Sequence, residues 1–487
     1  TMRVVAPVSR FESNDTPARA DGAPDVLPYE TPDHKTLTQK VDRILVHKVW
    51  GLLVFAAIMG ALFFAIFWIA DPMMGAMEEG VGALGSLVAP LLPEGPLQDM
   101  WTDGIVAGVG GILVFVPQIA MLFLFLAVLE DSGYLARAAF LMDRLLAKVG
   151  LHGKSFIPLL SSFACAIPGI MSARTIENRQ DRLATIFVAP FMSCSARLPV
   201  YALLIGTFFA AYGAMTQAGI MLALYALGIV AAAGTAWVFK RSLLKGPATA
   251  FILEMPTYKL PQLGQVARTV WTNTWAFVAK AGTIIFCLSI ILWAMAYYPR
   301  LPEGRATEVE QQVRSSRSGI SLQDFPTPVR EWWEKHEDKE VQTALAAAQS
   351  EYSIAGRIGH FMEPAIRPLG YDWKMGVGLI GAFAAREVFV STMGIIYSVG
   401  DAEDDTEPLS AALQSDRYPD GRPVWTPVVA VSLLVWFVLA MQCMSTLAIV
   451  RRETGGWKWP VFMLVYMNAL AYVVALVVYQ VGSRIWT

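Results

Sequence analysis

Long stretches without any charged residue restrict the fold of this 487-residue chain more than any other feature. The first covers residues 50–70, and a helix of about 20 apolar residues crosses a hydrocarbon core of about 30 Å. Only 16% of the residues are charged, against about 25% in an ordinary soluble domain. The sequence therefore predicts an all-α polytopic membrane protein. Further uncharged runs lie at residues 104–129, 198–239 (two helices, with a break predicted at Tyr212-Gly213), 281–299, 423–450 and 459–483.

The charges between these runs predict the topology. Lys40, Arg43 and Lys48 flank the first run, and the positive-inside rule then places the N-terminus in the cytoplasm. The connection at 71–103 contains no Lys or Arg and is predicted to lie outside. The predicted divisions are a disordered cytoplasmic segment (1–38), a first transmembrane helix with an external amphipathic segment (39–102), repeat 1 (103–240), a cytoplasmic elbow (241–270) and repeat 2 (271–484) with an external insert (300–371).

Two apolar segments do not fit as simple crossings, because the flanks of each have the same charge character. The first, 155–173, contains Pro158 and Pro168, and the second, 375–400, is split by Arg386-Glu387. Each is predicted to be a broken helical hairpin that enters and leaves on one face. The hairpin sequences SSFACAIPG and GAFAAREVF are alike, as are the downstream sequences MSCSA and MQCMS. Loop charges give the two units opposite orientations, which is the inverted repeat typical of secondary transporters.

Cysteine residues are the strongest candidates for chemistry. Cys165 and Cys194 lie in proline-interrupted segments, and Cys443 is the counterpart of Cys194 in the second unit. Sulfur ligands favour late transition-metal ions over Mg²⁺ or Ca²⁺, and Met192 and Met441 could be auxiliary soft ligands. The alternative is that each cysteine is a small buried hydrophobic residue and each methionine fills a gap in packing.

Ionisable residues inside a membrane are costly and are functional candidates by default. Glu130 and Asp131 end the second run and could supply oxygen ligands or cap a helix at the interface. Glu387 could have a metal or proton role, or form an ion pair that holds the second hairpin. Arg197 is predicted to be structural, neutralising a glutamate or a helix end rich in carbonyl groups.

Several strings together resemble the ferrous iron transport protein B family. The similarity is closest over residues 129–201, which begin LEDSGYLARAAF, and continues in EMPTYKLP, AFAAREVFVSTMG and MQCMSTLAIVRRETGGWKW. The resemblance implies Fe(II) uptake across a bacterial inner membrane through two inverted gate repeats, in a transporter and not an enzyme. Cys165, Cys194 and Cys443 match the family's gate cysteines. No permanently bound cofactor is expected, and Fe(II) is the transported substrate.

The family normally has an N-terminal GTP-binding domain, whereas about 40 residues precede the first span here. That domain is expected to have been removed, to be a separate chain, or to be dispensable. The expected partners are Fe(II), the lipid bilayer, such a GTP-binding domain, a small cytoplasmic accessory protein and a second copy of the chain, but not nucleic acid. Two alternatives stay open: a gate-type carrier of nucleosides or another small solute, and a non-transporting scaffold for a cytoplasmic GTPase.

Overall fold

The structure is a computed structural model that describes residues 37–485, except 48, 94, 245–257, 318–340, 343, 385, 387, 398–406 and 419. Five helical segments in this part are long and apolar enough to cross a membrane, and a bent pair brings the number to six. The chain is therefore a multi-pass membrane protein, as predicted. Most of the N-terminal segment, much of the elbow and the centre of the external insert lie outside the described residues.

The described fold consists of α-helices joined by short 3-10 or π-helical turns, and no strand is named in the described part of the chain. The helices are α1 (Leu37–Leu45), α2 (Trp50–Val88), α3 (Pro96–Asp99), α4 (Ala107–Leu113), α5 (Val116–Asp131), α6 (Tyr134–Lys148), α7 (Phe156–Ala164), α8 (Ala166–Ser172), α9 (Arg179–Val188), α10 (Leu198–Phe209), α11 (Ala214–Arg241), α12 (Leu263–Phe277), α13 (Thr283–Tyr297), α14 (Glu303–Arg317), α15 (Ile354–Ile366), α16 (Trp373–Ala384), α17 (Val388–Ile396), α18 (Glu407–Ser415), α19 (Pro427–Leu439), α20 (Met444–Thr454) and α21 (Lys458–Ile485).

Helix α2 does not end with the first uncharged run. It continues through Pro72 to Val88 and comprises 39 residues. A proline inside a helix removes one backbone hydrogen bond, and here the helical residues on both sides maintain the helix. By contrast, the predicted break at Tyr212-Gly213 is confirmed, because Gly213 has a φ of 82°, a conformation that glycine adopts without steric cost.

In both predicted hairpins two helices pack against each other, while their entry and exit on one face of the membrane stays a prediction. In hairpin 1 (α7 and α8), a Cβ added to Gly169 would lie 2.6 Å from the carbonyl oxygen of Pro158. Residues so far apart in sequence approach each other only if the chain folds back between them. In hairpin 2 (α16 and α17), Gly378 lies against Phe389 and Met393 in the same way.

The two cysteine-bearing spans form the centre of the molecule. The buried share of the apolar 18-residue stretch is 67% in Arg179–Tyr212 and 78% in Pro427–Thr454. It is only 22% in Ala214–Arg241 and in Lys458–Ile485. Each hairpin packs across the two units: α8 contacts α20, and α17 contacts α10. The central spans are therefore shielded by other helices, while the inverted orientation of the two units stays a prediction.

Candidate functional site

Three of the four cysteines lie where helices are interrupted. Cys165 joins α7 to α8 with φ −156° and ψ 134°, Cys194 precedes the turn into α10 with φ −84° and ψ 165°, and Cys443 precedes α20 with φ −162° and ψ 103°. All three residues have extended backbone and are partly buried. Cys287 lies within α13 and is exposed. The interruptions predicted for Cys165, Cys194 and Cys443 are thus confirmed, whereas their role as ligands stays a prediction.

Proline accounts for the first interrupted span. Pro190 lies in a 3-10 turn directly after α9, and Pro199 lies in the first turn of α10. A proline is well suited to the first turn of a helix, because its missing N–H has no acceptor there. The second interrupted span has no proline between α19 and α20, and the helix ends at Ala440 with φ −72° and ψ 149°. Both interruptions leave backbone carbonyl groups without a helical partner.

Arg197 binds the carbonyl groups of the first interruption. Its side chain is fully buried, and one terminal nitrogen donates to the carbonyl oxygen of Pro190 at 2.9 Å. The other donates to the carbonyl oxygens of Phe191 and Met192 at 3.3 and 3.2 Å and to Ser193 Oγ at 3.3 Å. Of the two partners predicted for Arg197, the carbonyl-rich helix end is the one the structure shows.

Arg386 binds the carbonyl groups of the second interruption, although it belongs to hairpin 2 and not to the interrupted span. It lies in the turn of hairpin 2, where Nε donates to the carbonyl oxygen of Gln442 at 3.1 Å and Nη2 to that of Ala440 at 3.3 Å. Nη1 lies 3.9 Å from Sγ of Cys194. The guanidinium therefore joins the interruptions of both central spans. Cys443 directly follows Gln442 in sequence, so the guanidinium also lies beside the segment that carries this second cysteine.

Gln442 is a polar residue of this site that the sequence analysis did not single out. Its side chain is only 3% exposed, and its Oε1 has no hydrogen-bond partner. An unpaired buried amide oxygen costs free energy, and it is a suitable ligand for a cation. Its place beside Cys443 in MQCMS was the available signal.

The remaining predicted residues are placed as follows. Met192 and Met441 are buried at the two interruptions, each two positions before a site cysteine. Glu130 is exposed at the end of α5, and Asp131 Oδ2 accepts a hydrogen bond of 2.6 Å from the backbone N–H of Gln262. No hydrogen bond or ion pair described for this chain joins either carboxylate to the cysteines. Glu387 lies outside the described residues.

The side chains that most often bind metal ions in proteins do not by themselves form a complete coordination shell at this site. Among the described residues, no three His, Cys, Asp or Glu side chains come together as ligands for one ion. Backbone carbonyl groups at the two interruptions, and Oε1 of Gln442, are the further groups that could bind a cation at this site.

Comparison with known proteins identifies the family. The "Gate: Nucleoside recognition" model matches residues 112–208 and 278–457, and each matched part contains one hairpin and one interrupted cysteine span. The model "Ferrous iron transport protein B C terminus" matches residues 221–273. The chain belongs to the ferrous iron transport protein B family. This finding confirms the resemblance seen in the sequence.

Curated members of this family are similar over nearly the whole chain. The "Fe(2+) transporter FeoB" of Leptospira interrogans is 43% identical over 454 residues, which is 92% of this chain and 60% of the relative. A "Fe(2+) transport protein A/Fe(2+) transporter FeoB fusion protein" of Porphyromonas gingivalis is 39% identical over 92% of this chain and 52% of its own length. This chain thus spans about 60% of the length of the first of these ferrous iron transport protein B relatives. No solved structure matches.

Proposed function

We propose that this chain carries Fe(II) across the bacterial inner membrane into the cytoplasm, and that the ion passes between the two interrupted spans. The observation that carries the proposal is the bridge made by Arg386, which joins Cys194 to the interruption beside Cys443. The contact of its guanidinium with the sulfur of Cys194 and with two carbonyl groups of the other interruption supports a buried site shared by the two spans. The names of the relatives as Fe(2+) transporters support the choice of cargo.

The chemistry of these groups suits Fe(II). Thiolate sulfur favours a transition-metal ion over Mg²⁺, and carbonyl groups from unwound helices provide the oxygen ligands that many transporters use at mid-membrane. Since cysteine binds metal as thiolate, ion binding at Cys194 and Cys443 would release protons. Cys165, at the tip of hairpin 1, is the third sulfur of the proposed pathway.

The acidic residues, the methionines and the partners extend the same proposal. Glu130, Asp131 and Glu387 would supply oxygen ligands along the path, and Met192 and Met441 would be auxiliary soft ligands. The name of the Porphyromonas relative includes a transport protein A, which supports a small accessory protein as partner. A GTP-binding domain, carried by another part of the protein or by a separate chain, is the other proposed partner.

A carrier of nucleosides or another small solute is the second candidate function. The observation that favours it is the description of the matching Gate model as nucleoside recognition. Partly buried cysteines at the interruptions of both central spans favour the ion instead, because sulfur is a metal ligand and a nucleoside site has no need of it.

Transport by purified protein in liposomes tests both candidates. Radioactive Fe(II) should accumulate in the liposomes, and Cys194→Ser and Cys443→Ser should each abolish this uptake. Cys287→Ser is the matched control, since Cys287 is exposed within α13, and it should transport like the unaltered chain. Full uptake by both site variants would end the thiol proposal. Uptake of labelled uridine without Fe(II) uptake would favour the nucleoside carrier, and no flux of either would favour the scaffold.

A further inference from the structure

The surroundings of Arg386 contain several groups of the kind that bind a cation. Its guanidinium is held by two backbone carbonyl oxygens and one sulfur, those of Ala440, Gln442 and Cys194. The side chain is only 5% exposed. A guanidinium is a permanent cation with donors only, so all three partners present electron pairs to a positive charge.

A divalent ion would use the same electron pairs. Carbonyl groups at unwound helices and cysteine sulfur are both metal ligands in membrane transporters and metalloproteins. The unpaired Oε1 of Gln442 is a further independent sign of a ligand site, because it is buried on the same short interruption without a hydrogen-bond partner. Two cations cannot share these groups, since their mutual repulsion in a medium of low dielectric constant is strong.

We propose that Arg386 is an internal substitute for the transported ion: it occupies the cation position between the two central spans and must withdraw before Fe(II) can bind there. This inference rests on the proposed function, because it takes the sulfur of Cys194 as a ligand of Fe(II). Arg386 binds the backbone carbonyl oxygens of Ala440 and Gln442 in the described structure, whereas Oε1 of Gln442 has no hydrogen-bond partner. A divalent ion therefore competes with an arginine for the same backbone groups.

Because Arg386 belongs to hairpin 2, a movement of this hairpin would withdraw the guanidinium from the site. Arg386 lies in the turn between α16 and α17, whereas the hydrogen bonds that Arg197 makes among the described residues go to residues 190–193 of its own segment. Movement of hairpin 2 would carry the Arg386 guanidinium away from Cys194 and leave Arg197 in place. The first interruption would keep its carbonyl groups capped, and the second would become free for an ion.

Metal binding to the purified chain in detergent tests this inference without transport. Co²⁺ is the probe, because thiolate coordination gives it a charge-transfer absorption band. We expect Arg386→Gln to bind Co²⁺ with an apparent Kd at least about tenfold below that of the unaltered chain, since apparent affinity scales with the fraction of molecules whose site is vacant. Arg386→Lys retains the positive charge and should bind like the unaltered chain. Arg386→Met serves if Arg386→Gln does not fold.

Two further variants locate the effect. Arg386→Gln combined with Cys194→Ser should lose the band, and Arg137→Gln, which removes another buried arginine, should bind like the unaltered chain. Equal affinities for the unaltered chain and Arg386→Gln would overturn the inference, as would a gain of affinity in Arg386→Lys as large as that in Arg386→Gln. Absence of the band from every variant would also overturn it. In that case Fe(II) uptake by Cys194→Ser and Cys443→Ser liposomes would still decide the proposed function separately.

Discussion

Gly169→Ala is the substitution that most directly tests the packing of hairpin 1. A Cβ at this position would lie 2.6 Å from the carbonyl oxygen of Pro158 and would also overlap Oγ of Ser162. The backbone contact is about 0.8 Å shorter than ordinary van der Waals contact. The hydroxyl cannot rotate away freely, since Ser162 Oγ donates to the same carbonyl oxygen at 2.7 Å. The arms of the hairpin must therefore separate.

The expected cost follows from three contributions. Forcing an extra carbon into a packed interface costs about 1–3 kcal/mol, and loss of the Ser162 hydrogen bond costs about 1 kcal/mol. The greater helix propensity of alanine returns up to about 1 kcal/mol. We expect Gly169→Ala to lower the free energy of unfolding by roughly 1–4 kcal/mol. Fe(II) uptake should fall too, because Cys165 lies at the tip of this hairpin.

The apparent melting temperature in detergent measures the effect, with hydrogen exchange of residues 156–172 as the local readout. Gly206→Ala is the matched control, because no atom lies within 4 Å of a Cβ built on that residue of α10. The control should be neutral or stabilising by up to about 1 kcal/mol. Equal melting temperatures and equal exchange for Gly169→Ala and Gly206→Ala would refute the close packing of α7 on α8.

Two further predictions concern a buried carboxylate and an ion pair. Burial raises the pKa of Asp372 to about 6, so ionisation of this carboxyl group lowers the stability of the folded protein as the pH rises from about 4 to 6. In Asp372→Asn the side-chain oxygen can still accept the 2.9 Å hydrogen bond from the Met375 N–H. This variant should therefore be more stable than the unaltered chain at pH 7 by about 1–3 kcal/mol. Melting curves of the two proteins should converge near pH 4, and an equal difference at pH 4 and 7 would contradict this reasoning. Arg174 Nε donates to Glu453 Oε2 at 2.6 Å and links the end of hairpin 1 to α20. A double-mutant cycle of Arg174→Gln and Glu453→Gln should give a coupling free energy of about 0.5–1 kcal/mol that declines with added salt. Zero coupling at low salt would show that this ion pair does not contribute to stability.

The sequence was most informative where its signals are local. The uncharged runs 50–70, 198–239, 423–450 and 459–483 predicted the five spans, whereas 104–129 and 281–299 are not among the five. Gly213 predicted the break before α11, and prolines predicted the interruption around Cys194. Each of these signals acts through the backbone of its own segment, by removing a hydrogen bond or permitting a positive φ. The interruption before Cys443 contains neither proline nor glycine, and only the likeness of MQCMS to MSCSA indicated it.

The partners of Arg386 were not predictable in the same way. Residues 194 and 386 are 192 positions apart and lie in different repeats, and a guanidinium has several donors that can satisfy many alternative acceptors. The sequence analysis placed Arg386 inside a hairpin but gave no acceptor for it. The unpaired oxygen of Gln442 was likewise invisible, because burial without a partner is a property of the packed molecule.

The length of α2 determines the outline of the protein at one membrane surface. At 1.5 Å per residue, its 39 residues extend for about 58 Å, nearly twice the hydrocarbon thickness of about 30 Å. Even at a tilt of 40°, the upper end of the usual range, the helix would span about 45 Å along the membrane normal. At least about 15 Å of it must therefore stand in the headgroups or in water. One end of α2 therefore projects beyond the hydrocarbon core at one membrane surface. A molecule that approaches this face of the protein contacts the projecting helix before it reaches the hydrocarbon core.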